Sequence, residues 1–244
     1  MTPRSGAKIG VLVPFTNVNL EPDMQLLCPE GCTVHFERLG GYDVDKIPGA
    51  EQMSGLGSSN LDDTLRLISG VRPKAILYGC TSATLTHGVE FDRSLADNIA
   101  NTCGSISITA AGALVNALTT LGATQIGFSS PYIGEVNRLA IEFLASENIK
   151  TVSQFEIEAE LDNYGQGELK PEEVFELAIK ADQPDVEAIV LSCTDMRSVE
   201  AIADIEQATG KPVVTSNQAM IFELCQKLKL PKPNYAAGCL FDKL

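Results

Sequence analysis

Two strand-like runs in this chain end in the same way, and that repetition narrows the folds open to it. Ala75-Ile76-Leu77-Tyr78 is a short apolar run that stops at Gly79 and delivers Cys80, Thr81 and Ser82. Ala188-Ile189-Val190-Leu191 is another, and it delivers Ser192, Cys193, Thr194 and Asp195. Further anchors repeat around them. Ile9-Gly10-Val11-Leu12-Val13-Pro14 is answered by Ile126-Gly127-Phe128-Ser129-Ser130-Pro131, and Thr33-Val34-His35-Phe36 by Thr151-Val152-Ser153-Gln154-Phe155. Ser105 to Thr109 is answered by Pro212 to Thr215. Pro14 and Pro131 are 117 residues apart, Thr33 and Thr151 118, Cys80 and Cys193 113, and Thr109 and Thr215 106. Four pairs in one order, drifting only by small deletions, indicate an internal duplication.

Helical patterns fill the gaps. They are read at Leu20 to Leu27 with Asn19 as N-cap, Asp62 to Ser69, Val89 to Asn101, and Thr109 to Leu121 with Gly122 as its stop. In the second half they are read at Tyr132 to Ser146, Pro171 to Ala181 with proline opening it, and Asn217 to Leu228. Gly40 to Gly57 reads as an irregular, glycine-rich flap that closes over ligand. Strands alternating with helices give a parallel sheet covered by helices. The expected fold is therefore α/β: two similar lobes, each a parallel four-stranded sheet flanked by helices, related by a pseudo-two-fold. Residues 1–108 with 217–244 form the expected N-terminal lobe and 109–216 the C-terminal one, with the active site between them.

Ligands of open α/β sheets bind beyond the carboxyl ends of strands. Cys80 and Cys193 both stand there, and a two-fold would bring them to one cleft. A thiolate is a nucleophile, and a thiol gives or takes a proton. Two facing thiols can therefore treat opposite faces of one carbon or one double bond, which suits racemisation, epimerisation or isomerisation without a cofactor. Loop amides and a helix start after each strand would hold an anion and lower a thiol pKa. Buried structural cysteine is the alternative for each thiol taken alone. A redox pair is disfavoured because the spacing is far from Cys-X-X-Cys.

Composition excludes several classes. The net charge of −14 argues against nucleic acid and offers no general attraction to anions. No apolar run is long enough to span a membrane, and no signal-like segment is read, so a cytoplasmic protein is expected. Seven cysteines in such a setting are expected to be unpaired. Cys28 and Cys32 are four apart, but the chain has only His35 and His87 as histidines and lacks a second cysteine pair, so no metal is expected. Cys103, Cys225 and Cys239 read as small buried hydrophobes.

These motifs resemble the Asp/Glu racemase superfamily and, within it, the maleate cis-trans isomerases. Gly10 to Asn17 followed by Leu20-Glu21-Pro22 is similar to that subfamily's N-terminal motif, and Tyr78-Gly79-Cys80-Thr81-Ser82 to its nucleophile motif. Ser130-Pro131-Tyr132, Ser192-Cys193-Thr194 and Thr215 to Ala219 fit as well. The resemblance implies the two-lobed fold, no metal or organic cofactor, and a small dicarboxylate or amino-acid substrate. It implies Cys80 as nucleophile and Cys193 as proton donor. Asn17, Tyr132 and Asn163 would hold carboxylates, and Cys80-Thr81-Ser82 and Thr194-Asp195 would supply backbone donors. A homo-oligomer is the expected assembly.

Duller roles stand beside these. Asn17 would cap the following helix, Tyr132 would be a helix-start aromatic, Asn163 a turn residue, and His87 a structural histidine. Asp195 stands where many maleate isomerases are expected to carry Asn. Aimed into the cleft it would repel a dianion and welcome an amino group; turned away it would cap the next helix near Arg197. The first expectation is maleate isomerisation. The second is racemisation of an acidic amino acid or related α-substituted acid, the third an arylmalonate-decarboxylase-like lyase, and the fourth a small-molecule binding protein.

Overall fold

The computed structural model describes residues 6–42, 44–45, 47–157, 160–235 and 237–244. The first half runs β1 (Lys8–Pro14), α1 (Leu20–Leu26), β2 (Thr33–Leu39), α2 (Ala50–Gly57), α3 (Asp62–Ser69) and β3 (Ala75–Tyr78). It continues through α4 (Thr81–Leu85), α5 (Val89–Cys103), β4 (Ile106–Thr109) and α6 (Ala110–Leu121). The second half runs β5 (Gln125–Ser130), α7 (Gly134–Ser146), β6 (Lys150–Glu156), α8 (Gly165–Glu168), α9 (Pro171–Ala181) and β7 (Ala188–Leu191). After a 3-10 turn at Val199–Ala201 come α10 (Ile202–Thr209), β8 (Val213–Thr215) and α11 (Ser216–Leu228), with a last 3-10 turn at Cys239–Lys243.

The strands form two four-stranded sheets, ordered β2-β1-β3-β4 and β6-β5-β7-β8, and every pairing is parallel. The duplication read from the sequence reaches down to register: Ile9 faces Ala75 in the first sheet, and Ile126 faces Ala188 in the second. The halves differ at a shift between Ile126 and Gly127, where β5 meets β6. In this strand order the chain leaves β1 and β3 toward opposite faces, which opens a crevice at their carboxyl ends. The same holds for β5 and β7. The loops carrying Asn17, Cys80, Tyr132 and Cys193 all begin at those four strand ends.

The central strands are buried on both faces, so they alternate between two cores rather than between core and water. Ile9, Val11, Val13 and Leu77 join the core that continues through Phe128 and Val190 of the second sheet. Leu12, Ile76 and Tyr78 point the other way, into a smaller cluster with Leu65 and Ile99. Each such aliphatic side chain contributes about 1.5–3 kcal/mol through burial. One core common to both sheets makes the junction of the halves tight. There α11 packs along α6, and Asn116 Nδ2 donates to Gln226 Oε1 at 2.8 Å.

Two local expectations need correction. Asn19 sits at the N-cap of α1 but makes no side-chain cap; Asn17 Oδ1 accepts from the Asn19 and Leu20 amides at 3.1 and 2.8 Å instead. Of the segment 40–57, Ala50–Gly57 is helix α2, held by burial of Met53 and Leu56. Irregular backbone is confined to its first part, in which residues 43 and 46 lie outside the described residues.

Candidate active site

Both thiols sit where a strand gives way to a loop. Gly79 lets β3 end tightly against β1 and the start of α1: a Cβ there would clash with Leu20 Cδ2 and lie 2.8 Å from the Leu12 carbonyl oxygen. Cys80 follows in extended conformation as the N-cap of α4, with Sγ 3.8 Å from Ser82 Oγ. In the second half, the Ser192 amide donates to Ser129 O, and Cys193 follows with the Asp195 amide donating to its Sγ at 3.3 Å. Cys193 Sγ also points at Gln166 Oε1, 3.8 Å away.

Cys80 and Cys193 are each 4% exposed and line one cavity of about 40 Å³. Asn17, Ser82, Tyr132, Asn163, Thr194 and Asp195 line it with them. Thr81 does not; its hydroxyl donates to Ser216 Oγ at 2.9 Å, fastening α4 to the start of α11.

The two thiols have different surroundings. Burial raises the Cys80 pKa, and the Ala83 amide and Ser82 hydroxyl pull it back. Burial outweighs the loop amides, contrary to the expectation of a lowered thiol. Burial also pushes Cys193 up, to about 12, and here the Asp195 charge adds to the rise; the Asp195 and Met196 amides and the Tyr132 hydroxyl oppose it. Tyr132 is buried, and its hydroxyl interacts with both Cys193 and Ser82. Cys193 is thus the thiol held in its protonated form by burial and, beyond that, by a neighbouring carboxylate.

Buried polar groups stitch the halves together behind the cavity. Asn17 Nδ2 donates to Thr194 Oγ1 at 3.0 Å, and that hydroxyl donates to Gly79 O at 2.9 Å. An amide nitrogen has two hydrogens, so Asn17 keeps a second donor for a ligand. Asn217 Nδ2 donates to Thr194 O at 3.0 Å and to Asp23 Oδ2 at 2.7 Å.

Asp23 has its pKa raised to about 7, first by burial, opposed by the Asn217 bond and reinforced by Glu200. Burial likewise lifts Asp92 to about 6. A carboxyl with a raised folded-state pKa binds its proton more tightly folded than unfolded. Its contribution is fully present below the ordinary value and is lost as pH rises through the folded one. Unfolding free energy should therefore fall between about pH 4 and pH 7, each carboxyl contributing at most roughly 1.4 kcal/mol for every pH unit crossed. Asp23→Asn, which keeps an acceptor for Asn217, should raise the melting temperature at pH 8 and leave it nearly unchanged at pH 4. Thermal melts at both values check this, and an equal effect at both would refute it.

A family model described as arylmalonate decarboxylase matches residues 9–241. The chain belongs to the arylmalonate decarboxylase family. The expected resemblance therefore holds, although the family model carries the name of the activity ranked third. The chain is 28% identical over 251 residues to a maleate isomerase of Pseudomonas putida, with 96% of this chain and 97% of that one aligned. It is 25% identical to the arylmalonate decarboxylase of Bordetella bronchiseptica, over 95% and 92% of the two chains. Its structure matches a Nocardia farcinica maleate cis-trans isomerase mutant with a covalently bound succinylcysteine intermediate at a TM-score of 0.87. That protein is 25% identical, with 96% and 98% of the chains covered.

In this member of the arylmalonate decarboxylase family, Tyr42 and Gln166 are among the cavity-lining residues that sequence reading did not single out. Tyr42 packs edge-on against Phe15, with centroids 5.2 Å apart, and donates to Asn163 Oδ1 at 2.6 Å. Asn163 Nδ2 donates in turn to Val44 O at 2.8 Å, so the β2–α2 loop is tied to the other half. Gln166 on α8 faces Cys193. The only sequence signal for either is an aromatic after Gly40-Gly41 and a polar residue between Gly165 and Gly167.

His87 is a structural histidine, stacked on Phe91 and bonded through Nε2 to Ser54 O at 2.8 Å. Among the described residues, no group of three or more His, Cys, Asp or Glu is placed to hold a metal. No helix among them is long and apolar enough to cross a membrane.

Proposed function

We propose that this protein isomerises maleate to fumarate with Cys80 as nucleophile and Cys193 as proton donor. The carrying observation is the pair of thiols lining one small cavity, one of them beside a carboxylate. Cys80, as thiolate, adds to one alkene carbon. The π-electron pair moves to the neighbouring carbon and takes the proton of Cys193. The resulting S-succinyl adduct has a single bond where the double bond was, and it rotates. The Cys193 thiolate then recovers the proton, the C–S bond breaks, and fumarate leaves with Cys80 again a thiolate and Cys193 again a thiol.

Donors for the carboxylates are the second Asn17 hydrogen and the Tyr132 hydroxyl, joined by the Ser82 hydroxyl once it turns from Met53 Sδ. Asn163 reaches the same cavity from the opposite half. The division of lobes at 108/109 and 216/217 is part of the same proposal, supported by the packing of α11 on β4 and α1.

Seven cysteines without a disulfide favour a reducing compartment such as the cytoplasm.

Proton NMR in deuterated water, with maleate, phenylmalonate, D-aspartate and L-aspartate offered in turn, tests the proposal. Conversion of maleate to fumarate is expected. Exchange of the α-proton of aspartate with no turnover of maleate would replace isomerisation by racemisation.

A further inference from the structure

The carboxylate of Asp195 neither caps the helix beside Arg197 nor stands free in the cleft. Arg197 is engaged elsewhere, by Glu200 at 2.8 Å through both Nε and Nη2. Asp195 Oδ1 accepts from the backbone amides of Val18 at 2.8 Å and Asn19 at 3.0 Å, both in the β1–α1 loop of the other half. Its Oδ2 fills the space where a side chain at position 167 would be: a Cβ on Gly167 would lie 2.9 Å from it. Asn19 Nδ2 closes the junction, donating to Asp195 O at 2.6 Å and to Gly167 O at 2.9 Å.

The opposite side of the same loop is held by a cation. Arg38 Nη1 donates to Pro14 O at 3.1 Å and to Asn17 O at 2.5 Å, and Nη2 pairs with Glu21. Carbonyls of the loop thus face a guanidinium and its amides face a carboxylate. Between them sits Asn17, whose side chain lines the cavity. Backbone N–H groups donating to an ionised carboxylate form some of the stronger hydrogen bonds available to a loop.

We propose that Asp195 is a positioning residue that works across the cleft on the Val18 and Asn19 amides, fixing Asn17 for the substrate, and that it is not a receptor for a substrate amino group. The role rests on the isomerase reading for its substrate and on geometry for the latch. It also bears on specificity, because Oδ1 is held by two amides and Oδ2 lies against Gly167.

Two variants separate geometry from charge. Asp195→Asn keeps an acceptor for both amides, and Asp195→Ala removes it. In the wild type the Val18 and Asn19 amide proton shifts should titrate together as Asp195 ionises, with the nearby Arg38, Asp23, Cys193 and Tyr42 as the other charged or titratable neighbours. In Asp195→Asn that shared titration should vanish while hydrogen exchange at the two amides stays slow. In Asp195→Ala exchange at both should become fast, with KM for maleate up by about tenfold or more, while kcat should change alike in both variants because both lose the charge that raises the Cys193 pKa. Asp195→Asn should keep KM within about threefold of the wild type. Amide shifts in the wild type that do not titrate together would overturn the latch even if Asp195→Ala fails to fold. A rise in KM as large in Asp195→Asn as in Asp195→Ala would overturn positioning in favour of direct contact with the substrate. A wild type without maleate turnover would remove the isomerase reading alone, because the amide measurements need no turnover.

Discussion

Cys80→Ala is expected to abolish turnover and every covalent adduct together. The nucleophile of a covalent mechanism has no substitute in the cavity: Ser82 is the nearest hydroxyl, and it donates to Met53 Sδ at 2.8 Å rather than to a base. Removing a nucleophile from an enzyme of this kind costs on the order of 10⁶ in kcat. The fold should survive, because the change deletes one atom beside an existing cavity, worth roughly 1 kcal/mol of lost burial. The melting temperature should then move by only a few degrees. The measurement is maleate turnover beside intact-mass spectrometry after quenching. An adduct retained in Cys80→Ala would move the nucleophile to another residue.

Cys193→Ala is expected to separate bond formation from turnover. Its thiol, pushed to about 12 by burial and by Asp195, is a proton source that does not compete as nucleophile. Loss of a general acid and base lowers kcat by roughly 10²–10⁴-fold. The Cys80 thiol is left in place, so addition should still occur with water supplying the proton in place of Cys193, and an adduct with no Cys193 thiolate to take that proton back should accumulate on Cys80. Peptide mapping after quenching with maleate reads this directly. A modified peptide containing Cys193 in the wild type would reverse the two assignments. Absence of adduct on either thiol, together with racemisation of aspartate, would discard the addition mechanism.

Much of this architecture was legible in advance, for local reasons. Helices α3 and α9 run over the spans read from the sequence, Asp62–Ser69 and Pro171–Ala181. Acidic residues open the first, and proline opens the second. The strands were legible because buried parallel strands are short unbroken apolar runs. Helix α2 was missed because Gly55 and Gly57 weaken its intrinsic preference, and packing of Met53 and Leu56 overrides them. Helix α10 was not assigned at all. Its buried residues are only Ile202 and Ile205, too few to stand out as a period.

The site divides along the same line. The thiols, Asn17, Ser82, Tyr132 and Thr194 follow strand ends, so their arrival at one crevice was implied by the duplicated βα order. Tyr42, Gln166 and the use of Asp195 were not implied, because each depends on a partner far away in sequence. Tyr42 meets Asn163 across 121 positions, and Asp195 meets Val18 across 177. The sequence by itself determined the repeated units, their parallel pairing and the two thiols, since periodicity and turn chemistry act between neighbours. Only the docking of the two halves decided which polar groups would satisfy one another. A carboxylate out of water settles on the donors that docking brings within reach, and for Asp195 those were two backbone amides that carry no side-chain signature.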